Sequence, residues 1–354
     1  MLDETLGGFR FDPEDGKMTA APQAATTAGR PPQSRNMRAG SLRKWRFKVS
    51  SQVMCLVSPV FRAMLGPSSM FKEACELRAS PSCYRLSLED DDPEAFLAIL
   101  YVLHCQTEKV PSSISFEDLF HMAIICDKYD CALAVAVWVD IWTTGWREFA
   151  FETAYSEWMF ISWTFCLPSV FEPLSRKIVM EGRYENGLGQ LLWGGRSLDE
   201  VMVPDPVISA IHQLRSDAIK AILDNTVFYL DLYSNAEGTM CIYEIPECDV
   251  MILGSIVREF RKRGLHNREK FLLMSLNEVV ASIKEISIYF YTNYTGTVFH
   301  GDTCSFLPEL FAKVDKICES IGELKLERFS KGVVWCRCGT GFGGKLEPLE
   351  YKPV

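Results

Sequence analysis

The sequence predicts an α+β chain in which a small domain of short helices and strands precedes a mainly α-helical domain. Three observations carry this reading. Two short segments, "WRFKV" (45–49) and "YRLSL" (84–88), alternate apolar and polar residues at the period of two that a half-exposed strand requires. Around them stand short apolar stripes at helical spacing, each opened by a Ser or Asp suited to an N-cap. Beyond residue 146, longer segments carry apolar residues three and four apart, the signature of amphipathic helices.

The size and composition fit that class. The chain has 354 residues, 48% of them hydrophobic and 12% aromatic, enough for a packed core and roughly two domains at about 100–200 residues each. A formal charge of -9 argues against wholesale binding to nucleic acid or to an anionic membrane. The longest apolar runs, "AFLAILYVLHC" (95–105) and "ALAVAVWVDIW" (132–142), fall short of the about 20 residues that span a bilayer, so no membrane partner is expected. The first thirty residues hold Asp3, Glu4, Asp12, Glu14 and Asp15 and lack the apolar stretch of a secretory signal. Thirteen cysteines without a regular framework suit reduced thiols, hence a cytoplasmic or nuclear protein.

Four segments follow in order. Residues 1–44 are rich in Ala, Pro, Gly, Thr and Arg with little apolar periodicity, and are expected to form a disordered basic tail. Arg30, Arg35, Arg38, Arg43, Lys44, Arg46 and Lys48 run without an acid among them; a solvated linker explains them, with nuclear import or a weak nucleic-acid contact as the functional alternative.

Residues 45–145 form the first folded domain. After "WRFKV", Ser50 or Ser51 caps a short helix that turns Val53, Met54 and Leu56 or Val57 inward. Ser58 with Pro59 is an N-cap followed by proline at the first helical position, where its missing N–H costs nothing. Val60, Phe61, Met64 and Leu65 make that helix's buried stripe, and Gly66-Pro67 ends it. Asp92 and Pro93 repeat the device before "EAFLAILYVLH", with Glu94 near the positive helix end. Ser115 and Asp118 approximate a capping box for a helix that buries Leu119, Met122, Ala123 and Cys126. A last helix, 132–142, is apolar on nearly all sides and is expected to be buried.

Residues 146–335 read as helices joined by Pro/Gly loops, notably 207–233, 267–294 and "LPELFAKVDKICESIGELKLERF" (307–329). The segment 336–354 is glycine-rich and expected to be loose.

In the first domain, "FKVSSQVMCLVSPVFRAML", "MFKEA", "YRLSLEDDDPEAFLAILYVLH" and "FEDLFHMAIICDKYDCALAVAVWVDIW" occur in an order that resembles a BTB/POZ domain, of the form found in fungal proteins with a long helical C-terminal region. The likeness spans 45 to about 142 and is a multi-part match rather than one short pattern. It departs in two places: "PQSRNMRAGSLRK" stands where the family has its first strand, and Ser50-Ser51 replaces the usual His-Arg or His-Lys helix opening. Swapped-strand dimers of the family depend on that first strand, so a homodimer does not follow from the resemblance. What the resemblance implies is a non-catalytic protein-interaction module. In cullin-binding members an apolar residue and a Glu lie beside this helix pair, so Phe71 and Glu73 are the partner-binding candidates. The anchor-and-rim arrangement gives that pair a physical logic.

The remaining chemistry is weaker. Cys241 and Cys248 are seven apart, His300 and Cys304 four apart, and Cys336 and Cys338 form a Cys-x-Cys pair. None is the tight Cys-x2-Cys pairing of a strong zinc signature, and buried free cysteine is common in any core, so no metal ligand and no cofactor is assigned. "GTGFGG" (339–344) lacks the strand and helix a phosphate loop needs, and no Gly-x-Ser-x-Gly, His-Glu-x-x-His or Walker pattern occurs, so no catalytic residue is assigned. His104, His121, His212, His266 and His300 are dispersed. "EDDD" (89–92) is explained by helix capping, and Trp138, Trp142, Trp146, Trp158 and Trp163 by packing. Three functions are therefore carried forward. The first is an adaptor that holds a cullin-type ubiquitin ligase or another scaffold and recruits a client. The second is a nuclear regulatory protein, and the third a metal-dependent or catalytic C-terminal domain.

Overall fold

We describe the protein from a computed structural model covering residues 45–80, 83–185, 189–292, 300–301 and 303–329. The expected N-terminal tail, the place of the missing first strand and the segment 336–354 lie outside the described residues. Two units result, the first ending at Leu167 and the second beginning at Pro168. The boundary therefore falls downstream of the one read at 145/146. Residues just after 145 stay with the first unit because Phe116 is ringed by Trp146, Tyr155 and Trp158, at centroid distances of 5.6, 4.9 and 6.0 Å.

The first unit contains α1 (Ser51–Val57), α2 (Pro59–Leu65), α3 (Lys72–Ala79), α4 (Pro93–Leu103), α5 (Phe116–Lys128), α6 (Ala136–Thr143) and α7 (Trp158–Thr164). The caps fall where the sequence places them. Ser50 accepts from Val53 N–H, Ser58 from Phe61 N–H and Asp92 from Ala95 N–H, while Ser115 and Asp118 form a full capping box. Each satisfies a backbone donor that the first helical turn otherwise leaves unpaired. Leu119, Met122, Ala123 and Cys126 are buried, as is Phe61, whose ring stacks on Tyr129 at 4.4 Å. Ser58 donates to the Tyr129 carbonyl at 2.5 Å, and the Tyr129 hydroxyl donates to Asp91 at 2.5 Å. The "SPVF" and "DKY" motifs thus meet in one buried joint.

Two expectations for this unit are corrected. Neither "WRFKV" nor "YRLSL" enters a sheet among the described residues. Burial alternates along the second as its pattern demands, with Tyr84, Leu86 and Leu88 half-buried and Arg85 and Ser87 exposed. Alternation selects a face, however, and a strand also needs a ladder partner. The 132–142 segment is likewise not buried all round: Val139 and Trp142 face inward, whereas Leu133, Val137 and Ile141 are exposed at four-residue spacing. Apolar character alone did not reveal that only one side of this helix meets the core.

The second unit contains α8 (Pro168–Glu181), β1 (Arg183–Tyr184), β2 (Leu191–Trp193), β3 (Arg196–Ser197), α9 (Asp205–Ser234), α10 (Pro246–Arg263), α11 (Arg268–Leu273), α12 (Leu276–Lys284) and α13 (Leu307–Ser320). The chain is thus α+β, and the sheet among the described residues, an antiparallel β1-β2-β3 ladder, lies in this second unit. Gly194 and Gly195, at φ 61° and 84°, form the two-residue turn between β2 and β3, where two successive positive φ values favour glycine. The thirty-residue helix α9 is the hub, and α8, α10, α11, α12 and α13 all pack on it. Its inward row runs Val207, Ile211, Arg215, Ile219, Ile222, Thr226 and Tyr229, in steps of four or three. The segment 267–294 is not one helix: α11 stops at Leu273, a Ser275–Glu278 capping box starts α12, and helix ends at Lys284. Among the described residues no helix is long and apolar enough to cross a membrane.

Candidate functional sites

Phe71 lies between α2 and α3, as the N-cap residue of α3, and is 60% exposed; Met70 beside it is 87% exposed. Glu73 sits in the first turn of α3 and is half-buried. The loop that presents them is tied down rather than loose. Arg78 donates from Nη1 to the carbonyls of Pro67 and Ser69, both at 3.0 Å, and from Nη2 to Cys75 Sγ at 3.2 Å. Ser69 donates to the Ala63 carbonyl at 2.5 Å and accepts from Phe71 N–H at 3.2 Å. Arg62 links α2 back to the carbonyls of Cys55 and Leu56 at 2.9 and 3.0 Å. Met70 and Phe71 then form one side of a shallow depression shared with Arg62, Ala63, Ser68 and Ser69. An apolar pair held out on a hydrogen-bonded loop has little ordering entropy left to lose when a partner covers it.

The second cluster is in the second unit, and sequence reasoning left it unassigned. Cys241 lies in the turn before α10, Cys248 in the first turn of α10, and His300 and Cys304 ahead of α13. All four are buried, and their ligand atoms lie within 4.8 Å of one another. Cys241 Sγ is 3.4 Å from His300 Nδ1 and 3.7 Å from Cys304 Sγ, and Cys304 Sγ is 3.6 Å from His300 Nδ1. The local fold explains the approach. The Glu244 N–H donates to the Cys241 carbonyl at 2.9 Å with Glu244 at φ 57°, closing a turn that returns the chain into α10. Cys304 N–H donates to the His300 carbonyl at 3.0 Å, a bond that holds the two residues close together. Tyr243 and Tyr291 pack edge-on against the His300 ring at 4.9 and 5.7 Å.

The electrostatics of the three thiols differ. Burial pushes Cys248 up to about 12 and also raises Cys304. Burial acts on Cys241 as well, but backbone hydrogen bonds from Ile245 and Tyr243 and the neighbouring thiols outweigh it and hold Cys241 below its ordinary value. Cys241 is therefore the thiol the fold prepares to carry negative charge.

The other candidates resolve into packing. Asp92 caps α4, and Asp91 takes Lys128 at 2.9 Å together with the Tyr129 hydroxyl, so the acidic run serves the joint of the first unit. His104 Nε2 accepts from Ser50 N–H at 3.2 Å, and His212 Nδ1 pairs with the Tyr184 hydroxyl at 2.8 Å. Trp142 and Trp146 donate to the carbonyls of Pro111 and Ile114 at 2.8 and 3.1 Å. Cys336 and Cys338 lie outside the described residues. The spacings of Cys241–Cys248 and His300–Cys304 were visible in the sequence, but nothing there linked pairs more than fifty positions apart. Compared with known proteins, the chain matches no family model, no curated protein and no solved structure. The likeness to a BTB/POZ domain therefore rests on the quoted motifs.

Proposed function

We propose that the chain is a non-catalytic protein-interaction module whose first unit, of BTB/POZ type, seats a scaffold protein on the Met70–Phe71–Glu73 lip. The leading version is an adaptor for a cullin-type ligase, acting in the cytoplasm or nucleus. The observation that carries the reading is Phe71, 60% exposed on a loop whose backbone is fastened by Arg78 and Ser69. Exposed aromatic surface costs solubility and is usually kept where a partner covers it. Phe71 supplies the apolar anchor, and Glu73 the polar contact at its rim. An anchor of this kind commonly contributes about 2 kcal/mol or more, roughly thirty-fold in affinity.

The test is capture of a purified cullin by the full chain, compared with Phe71→Ala combined with Glu73→Ala. The expected result is loss of capture by about thirty-fold or more. Melting should stay within about 2 °C of the parent, because an exposed side chain contributes little to the fold. Capture that survives the double substitution, or a parent protein that captures no cullin, would remove the ligase version.

A further inference from the structure

We infer that Cys241, Cys248, His300 and Cys304 form a closed binding site for one divalent metal ion of the zinc class, which staples the second unit. At Zn–S of about 2.3 Å and Zn–N of about 2.0–2.1 Å, a tetrahedron has S···S edges of about 3.8 Å and S···N edges of about 3.5 Å. The observed edges are 3.7 Å between Cys241 and Cys304, and 3.4 and 3.6 Å from their sulfurs to His300 Nδ1. Three of the six edges already have tetrahedral length. Every remaining pair lies within 4.8 Å, so drawing Cys248 in shortens each of its edges by about 1.3 Å at most.

These separations fit a metal better than the alternatives. A disulfide needs sulfurs about 2.0 Å apart, far closer than the 3.7 Å between Cys241 and Cys304. Ordinary core packing does not require three thiols and an imidazole nitrogen to converge. The imidazole is itself only 1% exposed, and its second nitrogen, Nε2, has no hydrogen-bond partner among the described residues. Its other nitrogen, Nδ1, faces the sulfurs of Cys241 and Cys304 at 3.4 and 3.6 Å, where coordination to a metal supplies a far stronger interaction than a thiol contact.

The donor set identifies the ion and its role. Three thiolates and one imidazole are soft to borderline ligands, suited to zinc and poorly suited to magnesium or calcium. Four protein ligands fill a tetrahedral shell, and none of the four residues exceeds 9% exposure. Such a site has no open position for water or substrate, so its role is structural rather than catalytic. It would fasten the turn before α10 to the segment leading into α13, locking together two connections that leave the α9 hub at different points of the chain.

The experiment uses the full chain, purified under reducing conditions, with metal content measured by mass spectrometry. About one zinc per chain is expected, as are the visible bands of tetrahedral thiolate-bound cobalt after exchange. Cys241→Ser and Cys304→Ser should each lower the zinc affinity about ten-fold or more, at least what loss of an outer-shell partner costs a metal site. Cys318→Ser, and Cys336→Ser combined with Cys338→Ser, should leave it unchanged. If a ligand variant fails to fold, the cobalt spectrum of the parent and a fall in its melting temperature on chelation still decide. A reduced parent that holds no zinc and develops no cobalt bands would overturn the inference. So would metal that survives Cys241→Ser, or metal lost only from the Cys336/Cys338 variant.

Discussion

Replacing Phe61 by alanine tests whether the short capped helices hold the first unit together. The ring is 3% exposed and stacks on Tyr129 at 4.4 Å. Emptying an aromatic core site costs about 3–5 kcal/mol, and the lost ring stacking accounts for about 0.5–1.5 kcal/mol of it. The upper part of that range is expected because Tyr129 is pinned at both ends and cannot fall into the void. Its hydroxyl donates to Asp91 and its carbonyl accepts from Ser58, each at 2.5 Å. For a unit of this size about 4 kcal/mol corresponds to roughly 10–20 °C in melting temperature. The assay is thermal unfolding, with hydrogen exchange of the α2 and α5 peptides to assign the transition to the first unit. Phe71→Ala supplies the control: the same atoms are deleted, but from a ring that is 60% exposed, so about 0.5 kcal/mol or less is expected. Equal melting of the two variants, or a Phe61→Ala protein within about 3 °C of the parent, would refute the packing argument.

Tyr129→Phe removes the hydroxyl bond to Asp91 and should cost about 1.5–3 kcal/mol in urea unfolding, since the acceptor is charged. Burial, then the hydrogen bond and charge of Asp91, push the Tyr129 hydroxyl well above its ordinary value. The parent's advantage over Tyr129→Phe should therefore be complete below about pH 10 and shrink as the pH rises further; an advantage that grows above pH 10 would contradict this. Arg215 is fully buried and donates to the carbonyls of Gly182, Leu272 and Met274, so Arg215→Met should destabilise the second unit by about 3 kcal/mol or more. Arg215→Lys should not restore it, because one ammonium cannot span carbonyls arranged for a planar fork; unfolding of both variants checks this. Ser275→Ala should cost about 1 kcal/mol by breaking the capping box that starts α12, read as faster exchange across 276–284.

Much of the helical framework was legible in the sequence because its signals are local. A serine or aspartate before a proline or an apolar stripe satisfies its own helix's first N–H groups, so Ser58, Asp92 and Ser115 marked helix starts without reference to the rest of the chain. The inward positions of Phe61, Leu119 and Met122 followed from helical spacing, and so did the length of α9. Two further local signals were present but passed over: Ser275 with Glu278, which divides 267–294, and "LLWGGRS", whose paired glycines mark the β2–β3 turn.

What needed the tertiary structure was non-local. Whether "YRLSL" joins a sheet depends on a partner strand elsewhere, and which side of 132–142 is buried depends on what packs against it. The clearest case is the thiol cluster. Cys241 and Cys304 are sixty-three positions apart, and no spacing rule connects them. Their sulfurs meet only because α10 and α13 both pack on α9, so their connections reach the same place. Local spacing exposed two weak pairs; helix packing turned them into four converging donors.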